Sequence, residues 1–219
     1  MGDFMDFFDL HCDTLTECMD DGDSLLKNER DIDFERGSIF GRWNQVFAVF
    51  VPDSMDDSLV EGYFDSACDF YLSELKKKGD FFPILSAEDV RGHSRGVMLA
   101  MESSRGVGSL ERLEKLYERG LRLITLTWNH KNRAAGGCDE GGGLTDWGRE
   151  LVSKMEKLGI VTDVSHLSDR SFYDLCEFSD APFIASHSDA RAVHNEVRSL
   201  TDEQIKIIIE RGGLIGLNF

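Results

Sequence analysis

The amino-acid sequence predicts an α/β fold, a TIM-type (β/α)8 barrel, and three observations lead to this prediction. Apolar segments of strand length alternate with segments of helical period along the 219 residues. Most apolar segments are continuous, which is typical of parallel strands that are buried on both faces. Residue types that bind metals follow several of these segments directly. Side chains from several strand ends meet only if those ends form a ring, as they do in a barrel.

The alternation gives seven strands, which fit a TIM-type barrel better than an open doubly wound sheet. We predict strands over 4–11, 45–51, 96–101, 121–127, 159–165, 182–186 and 213–219. We predict helices over 54–78, 109–119, 146–158, 169–178 and 200–211. Helix start signals precede three of the helices, at Thr145, Ser168 and Thr201. The whole chain, 1–219, is expected to be one barrel domain.

Composition excludes several classes of function. The formal net charge is −17, so we expect no nucleic-acid partner and no docking on anionic lipid. No apolar run reaches the length of a membrane span, and the N-terminus lacks the features of a signal peptide. We therefore expect a soluble, cytoplasmic protein. Five cysteines without a CxxC pair argue against a disulfide framework and against a thiolate zinc site.

Five side chains at predicted strand ends form a candidate metal site. His11 and Asp13 are two residues apart, so on a strand they point to the same face, while Cys12 points to the other. The other three are Glu102, His166 and His187. Imidazole and carboxylate ligands suit a hydrolytic site with two metal ions. His11 and Asp13 would serve one ion, His166 and His187 the other, and Glu102 would bridge them.

Two observations leave other interpretations open. A single histidine beside an apolar strand is more often a hydrogen-bonded structural residue, and only the coincidence of five ligands favours a metal. The segment 128–145 contains several glycines after a strand, but their spacing matches neither GxGxxG nor a P-loop. We therefore interpret it as an active-site loop.

The sequence resembles the renal or membrane dipeptidase family of zinc peptidases, as a bacterial-type member. The resemblance runs through the chain in order, at 9–13 (DLHCD), 101–103 (MES), 123–127 (LITLT), 159–166 (GIVTDVSH), 181–188 (APFIASHS) and 198–203 (RSLTDE). It implies a barrel in the amidohydrolase group with two zinc ions on the five ligands named above. It also implies hydrolysis of dipeptides by a hydroxide that bridges the two metal ions.

The resemblance extends to two further residues. Arg198 matches the family's arginine for the substrate carboxylate, and a guanidinium can bind a carboxylate with two hydrogen bonds. The alternative is a surface arginine that caps the next helix. The family places a catalytic histidine, which contacts the scissile carbonyl, just after the strand 121–127. Trp128 stands at that position, and His130, two residues later, is the candidate for the role.

The family barrel has an eighth strand, whose aspartate takes the proton from the attacking water. This strand would follow 213–219, so the resemblance implies that the chain is C-terminally incomplete and that its barrel is open. The chain could be a fragment, could be closed by another chain, or could be a shortened paralogue without catalysis.

Two other functions stay open from the sequence. One is a different amidohydrolase-type reaction on an amide without a free carboxylate, and the other is a truncated barrel that binds metal without turnover. His and carboxylate ligands accept zinc, manganese, cobalt or iron, so the residues do not fix the metal. A homodimer is compatible with the sequence, although no interface can be identified from it.

Overall fold

A computed structural model of the chain describes residues 6–77 and 81–218. Its strands are β1 (Asp6–Asp9), β2 (Arg42–Phe50), β3 (Phe82–Pro83), β4 (Arg95–Glu102), β5 (Leu121–Thr125) and β6 (Val161–Asp163). Its α-helices are α1 (Thr14–Asp21), α2 (Asp57–Lys77), α3 (Ala87–Gly92), α4 (Leu110–Glu118), α5 (Asp146–Leu158), α6 (Asp169–Phe178) and α7 (Asp202–Glu210). Short 3-10 helices cover Arg36–Ile39 and Ser104–Val107. The predicted elements also included residues 4, 5, 78 and 219, which lie outside the described residues.

The strands form one parallel, curled sheet in the order β1-β2-β4-β5-β6, with β3 paired to β4. Single parallel bridges continue the order, from Asp163 to Ile184 and from Ala185 to Ile215. The predicted strands 182–186 and 213–219 are therefore present as bridged extended segments, not as ladders. The arrangement is that of an incomplete TIM-type barrel, and it confirms the predicted fold class.

Apolar side chains pack on both sides of the sheet. Inside the curl, Val46, Ala48, Ala100 and Leu123 form a small cluster of buried residues. A larger core lies outside, between the sheet and the helices. Strand β2 is buried along most of its length, as the continuous apolar sequence predicted. This double burial fixes the strand ends on which the candidate ligands lie.

Local signals set the helix boundaries. The side chains of Thr145, Ser168 and Thr201 accept hydrogen bonds from backbone amides in the first turns of α5, α6 and α7. The sequence analysis missed two short helices, α1 and α3. They have eight and six residues, too few for a helical period to be recognised.

The free edge of the sheet is apolar. In the described part of the chain β1 pairs with β2 alone, and Phe7 and Phe8 are both more than one third exposed. Across the described residues, no helix has the length and apolar character that a membrane crossing requires.

Candidate metal centre

The five predicted ligands lie at the C-terminal edge of the sheet. Glu102 is the last residue of β4, and His11 and His166 follow β1 and β6. His187 follows the bridged segment at Ile184 and Ala185. Asp13 is the N-cap residue of α1. Because the strands are parallel, their C-terminal ends bring side chains that are far apart in sequence to one place.

A shift in the backbone pairing turns His11 towards the centre. Asp9 lies opposite Gln45 in the ladder, so a regular strand would place His11 opposite Phe47. Instead, Cys12 lies opposite Phe47: its amide donates to the carbonyl of Val46, and its carbonyl accepts from the amide of Ala48. The segment after β1 therefore has one residue more than β2 over this stretch, as in a β-bulge, and the side chains that follow point to the opposite face of the sheet. Cys12 packs on the outer core, and the His11 ring faces the site.

The imidazole Nε2 atoms converge on the carboxylate of Glu102. Oε1 lies 3.1 Å from Nε2 of His166 and 3.6 Å from Nε2 of His187, and Oε2 lies 3.5 Å from Nε2 of His11. The Nε2 atoms of His166 and His187 are 2.8 Å apart. Asp13 is more exposed, and its Oδ1 lies 3.5 Å from Nε2 of His11. The structure thus brings all five predicted ligands together.

Two residues at the site have an unusual backbone conformation. Ser103 (φ 76°) and His166 (φ 67°) are the non-glycine residues with positive φ in the described part of the chain. Ser103 directly follows Glu102, and His166 is itself a candidate ligand. Left-handed conformations are costly for residues with a Cβ and are frequent at functional sites. The strain is therefore located where side chains must be aimed at one point.

Burial and close pairing shift the pKa values of these groups in different directions. Burial would raise the pKa of Glu102, but its close contact with the imidazole rings of His11, His166 and His187 holds that pKa well below its usual value. Burial favours a neutral His11, yet its hydrogen bonds to Asp13 and Glu102 raise its pKa to about 10. Burial and the charge of His11 lower the pKa of His187 to about 4. The cluster therefore holds an ionised Glu102 next to a neutral His187.

The second ring nitrogens are also hydrogen-bonded. Nδ1 of His166 lies 2.7 Å from Oδ1 of Asn129, and Nδ1 of His187 lies 2.7 Å from Oγ of Ser186. Asp163, at the end of β6, accepts a hydrogen bond from the Ser186 hydroxyl. The sequence analysis gave no role to Asn129, Ser186 or Asp163. The sequence signal that could have identified Asp163 is an acidic residue within an apolar run of strand length.

Arg198, the predicted carboxylate-binding residue, lies beside the histidines. Its Nη2 donates to the carbonyl oxygen of His187 (2.8 Å) and lies 3.3 Å from Nε2 of His166. Its Nε is buried, and no described residue accepts a hydrogen bond from it. A buried N–H without an acceptor is costly. The guanidinium therefore retains a free donor for an additional acceptor.

His130 makes its described contacts away from the five candidate ligands. Its amide donates to Asp53 Oδ2 (3.1 Å), and it lines a cavity of about 480 Å³ together with Arg105 and other residues, none of them a predicted ligand. Trp128 is nearer to the cluster, with its ring centroid 6.4 Å from that of His166. Asn129, between them, contacts His166 directly.

The donor set fits a divalent metal. The amide oxygen of Asn129 can only accept, so His166 donates from Nδ1 and carries a lone pair on Nε2. That lone pair faces Oε1 of Glu102 at 3.1 Å and Nε2 of His187 at 2.8 Å. Such a group of donor atoms is stable when a cation lies among them. His11, Glu102 and His187 can each offer one ligand atom within 4.8 Å of the others. Imidazole and carboxylate are the ligands of hydrolytic zinc sites.

Comparison with known proteins identifies the family. The family model described as membrane dipeptidase (peptidase family M19) matches residues 3–219. The chain belongs to family M19. It is a metallopeptidase family, which agrees with the donor set.

Two solved structures resemble this M19 chain. One is a metallo peptidase from Rhodobacter sphaeroides, liganded with a phosphinate mimic of the dipeptide L-Ala-D-Ala. It has a TM-score of 0.87 and 25% identity, with 99% of this chain and 74% of that chain covered. The other is a dipeptidase AC, which is described as a metallo peptidase of family M19. It has a TM-score of 0.89 and 26% identity, with 99% of this chain and 73% of that chain covered.

A curated relative of this M19 chain is an uncharacterized protein from the pqqA 5' region of Klebsiella pneumoniae. The two are 34% identical over 148 residues, which are 62% of this chain and 55% of that protein. The chain spans about half the length of the curated relatives it matches.

Proposed function

We propose that the chain is a metal-dependent dipeptidase that uses two divalent ions, with zinc as the metal. The observation that carries the proposal is the convergence of three histidines on Glu102 with the free donor of Arg198 beside them. Family membership supports hydrolysis, and both similar structures are described as metallo peptidases. The same residues supply metal ligands and a carboxylate receptor at one edge of the sheet.

The geometry supports one division of the ligands. His11 and Asp13 would hold one ion, His166 and His187 the other, and the two oxygens of Glu102 face the two pairs. When bound, two such ions lower the pKa of water and polarise a carbonyl group. The residues contribute fixed positions, since the rings of His166 and His187 are hydrogen-bonded at Nδ1.

Arg198 would bind the C-terminal carboxylate of the dipeptide. Nη2 is held by the carbonyl of His187, so the guanidinium has a defined orientation, and its buried Nε–H needs an acceptor. A carboxylate is the acceptor that matches a guanidinium best. The Rhodobacter protein was solved with a mimic of L-Ala-D-Ala, which supports a dipeptide as the substrate class.

The segment after β5 would complete the substrate site. Trp128 packs edge-on against Phe50, at 4.9 Å between ring centroids, and forms an apolar wall beside His166. Such a wall excludes water from the cluster. His130 remains our candidate for the residue that contacts the scissile carbonyl, because an imidazole can donate to that oxygen. Replacement of His130 by Ala should lower kcat, whereas replacement of the exposed His194 should not.

The first experiment combines metal analysis with a peptidase assay on the 219-residue chain. We expect about two zinc equivalents per chain in protein purified without chelator, and turnover of L-Ala-D-Ala. Arg198→Ala should retain the zinc and raise KM about tenfold or more, the loss of one charge-assisted contact. Protein that takes up no zinc would contradict the proposal. An unchanged KM, with turnover of neutral cyclic amides, would assign the site to another amidohydrolase-type reaction.

A further inference from the structure

The carboxylate of Asp163 lies fully buried at the end of β6, beneath the histidine cluster. Its Oδ1 accepts hydrogen bonds from the backbone amides of Ser165 (3.0 Å) and Ser186 (2.9 Å). Its Oδ2 accepts from the hydroxyls of Thr125 and Ser186, both at 2.6 Å. Four donors therefore face the two oxygens, and an ionised carboxylate can accept from all of them.

The Ser186 hydroxyl stands between this carboxylate and a candidate ligand. Its Oγ lies 2.6 Å from Oδ2 of Asp163 and 2.7 Å from Nδ1 of His187. A hydroxyl has a single proton, and the charged acceptor takes it. Oγ must then accept from His187, so that ring is protonated at Nδ1. Its Nε2 carries the lone pair and faces Glu102.

We propose that Asp163 and Ser186 are positioning residues that set the tautomer of His187 and direct its Nε2 to the metal. Both residues are buried and act through the His187 ring. The proposal rests on the metal site of the proposed function and deepens it, because a histidine ligand must present an unprotonated nitrogen. Hydrogen bonds to the far nitrogen of a ligand histidine fix the ring and its tautomer in this way.

The Asp163 carboxylate also links the two neighbouring segments that carry His166 and His187. Ser165 directly precedes His166 and Ser186 directly precedes His187, and both amides bond to Oδ1 of Asp163. A neutral side chain could make those two bonds. Oδ2 has a different function, because it takes the proton of the Ser186 hydroxyl. That hydroxyl can then only accept a hydrogen bond from Nδ1 of His187. A buried charge is expensive, and among the described residues none forms an ion pair with Asp163, which argues against a purely structural role.

Asp163→Asn reverses the direction of the hydrogen bonds. The amide oxygen must remain at Oδ1, where two backbone amides donate, so the new NH2 group faces the hydroxyls of Thr125 and Ser186. Ser186 then accepts from that NH2 group and turns its proton to His187. We expect His187 to be protonated at Nε2 in this variant and at Nδ1 in the parent chain.

The tautomer can be measured directly in metal-free protein. Nitrogen-15 NMR of the imidazole rings at neutral pH distinguishes the two tautomers of His187. Zinc affinity, measured by competition with a chromogenic chelator, should fall about 10- to 100-fold in Asp163→Asn and in Ser186→Ala. Ser186→Ala keeps the backbone bonds and removes only the relay, so it serves if Asp163→Asn does not fold.

Thr125→Val is the matched control. It removes a hydroxyl that donates to the same Oδ2 and that makes no contact with His187. We expect unchanged tautomer and zinc affinity in this variant. Parent protein protonated at Nε2 would overturn the proposal, as would equal losses of zinc affinity in Thr125→Val and Ser186→Ala. If the tautomers change as expected but the parent chain binds no zinc, the proposed function fails while the assignment of Asp163 and Ser186 stands.

Discussion

Arg191 binds Asp169 with two parallel hydrogen bonds, from Nη1 to Oδ2 and from Nη2 to Oδ1, each 2.8 Å long. Asp169 is the first residue of α6, and Arg191 belongs to the segment between His187 and α7. The same guanidinium also donates to the carbonyl oxygens of Val197 and Ser199, on either side of Arg198. Arg191 therefore anchors the segment that presents Arg198 to the site.

Arg191→Ala should loosen this segment without removing a residue of the site. We expect KM for a dipeptide to rise about tenfold, since Arg198 would no longer be held in place, with little change in zinc content. Amide hydrogen exchange at Leu200, whose N–H bonds to the carbonyl of Asp189, should become faster. Arg149→Ala, which removes an arginine packed on Phe178, is the control and should change neither quantity. Slow exchange at Leu200 in Arg191→Ala would contradict the prediction.

The Asp169 carboxylate should make this anchor dependent on pH. Hydrogen bonds from Arg191 and Gln204 outweigh the effect of burial and lower its pKa. A lowered pKa in the folded state means that the stabilisation is present above the unfolded value of about 3.9 and is lost as the pH falls through the folded value. The Tm difference between the parent chain and Asp169→Asn should therefore be largest near neutral pH and shrink towards about pH 3. A difference that does not vary with pH would contradict this.

The glycine-rich segment after β5 should be sensitive to a single methyl group. A Cβ at Gly137 would lie 2.4 Å from the carbonyl oxygen of Asn129 and 2.6 Å from that of His130. Because Asn129 orients His166, Gly137→Ala should displace that ring and lower zinc affinity about tenfold or more. Gly62→Ala, in α2 with open space around the new Cβ, is the control. It should keep its zinc affinity and be as stable as the parent chain or more so. Equal zinc affinities in both variants would contradict the prediction.

The sequence predicted the elements whose signals are local. Continuous apolar runs gave the parallel strands, because double burial needs apolar residues on both faces. The position of His11, Glu102, His166 and His187 after such runs led to the candidate ligand set, because parallel strands end at one edge. Residues 182–186 were predicted as a strand from the same signal, yet they form two isolated bridges, at Ile184 and at Ala185, in place of a ladder.

The remaining features depend on pairing between distant segments. The shift that turns His11 inward exists only relative to β2, so β1 alone cannot reveal it. The partners of the ligand rings come from three places in the chain: Asn129 lies on the loop after β5, Asp163 ends β6, and Ser186 precedes His187. The bonds from Asn129 to His166 and from Ser186 to Asp163 follow from tertiary structure and have no sequence spacing of their own.

Glu102 is the central residue of the proposed metal site, and a second buried glutamate provides its control. Glu102→Gln keeps the shape of the side chain but replaces an acceptor oxygen by an NH2 group that faces the histidine nitrogens. We expect zinc content to fall from about two equivalents to about one or fewer, and peptidase activity to be lost. Glu74 is equally buried and accepts hydrogen bonds from the Ser24 hydroxyl (2.6 Å) and the Leu25 amide (3.0 Å), away from the site.

Glu74→Gln should lower the free energy of unfolding, because it disturbs a buried hydrogen-bond network, while leaving zinc content unchanged. Elemental analysis and thermal unfolding of the two variants therefore separate ligation from stability. Equal zinc content in Glu102→Gln and the parent chain would show that Glu102 is not a ligand. Loss of zinc in both variants would show that metal content follows the stability of the fold. Loss in Glu102→Gln alone is the expected result, because only that carboxylate faces the three Nε2 atoms.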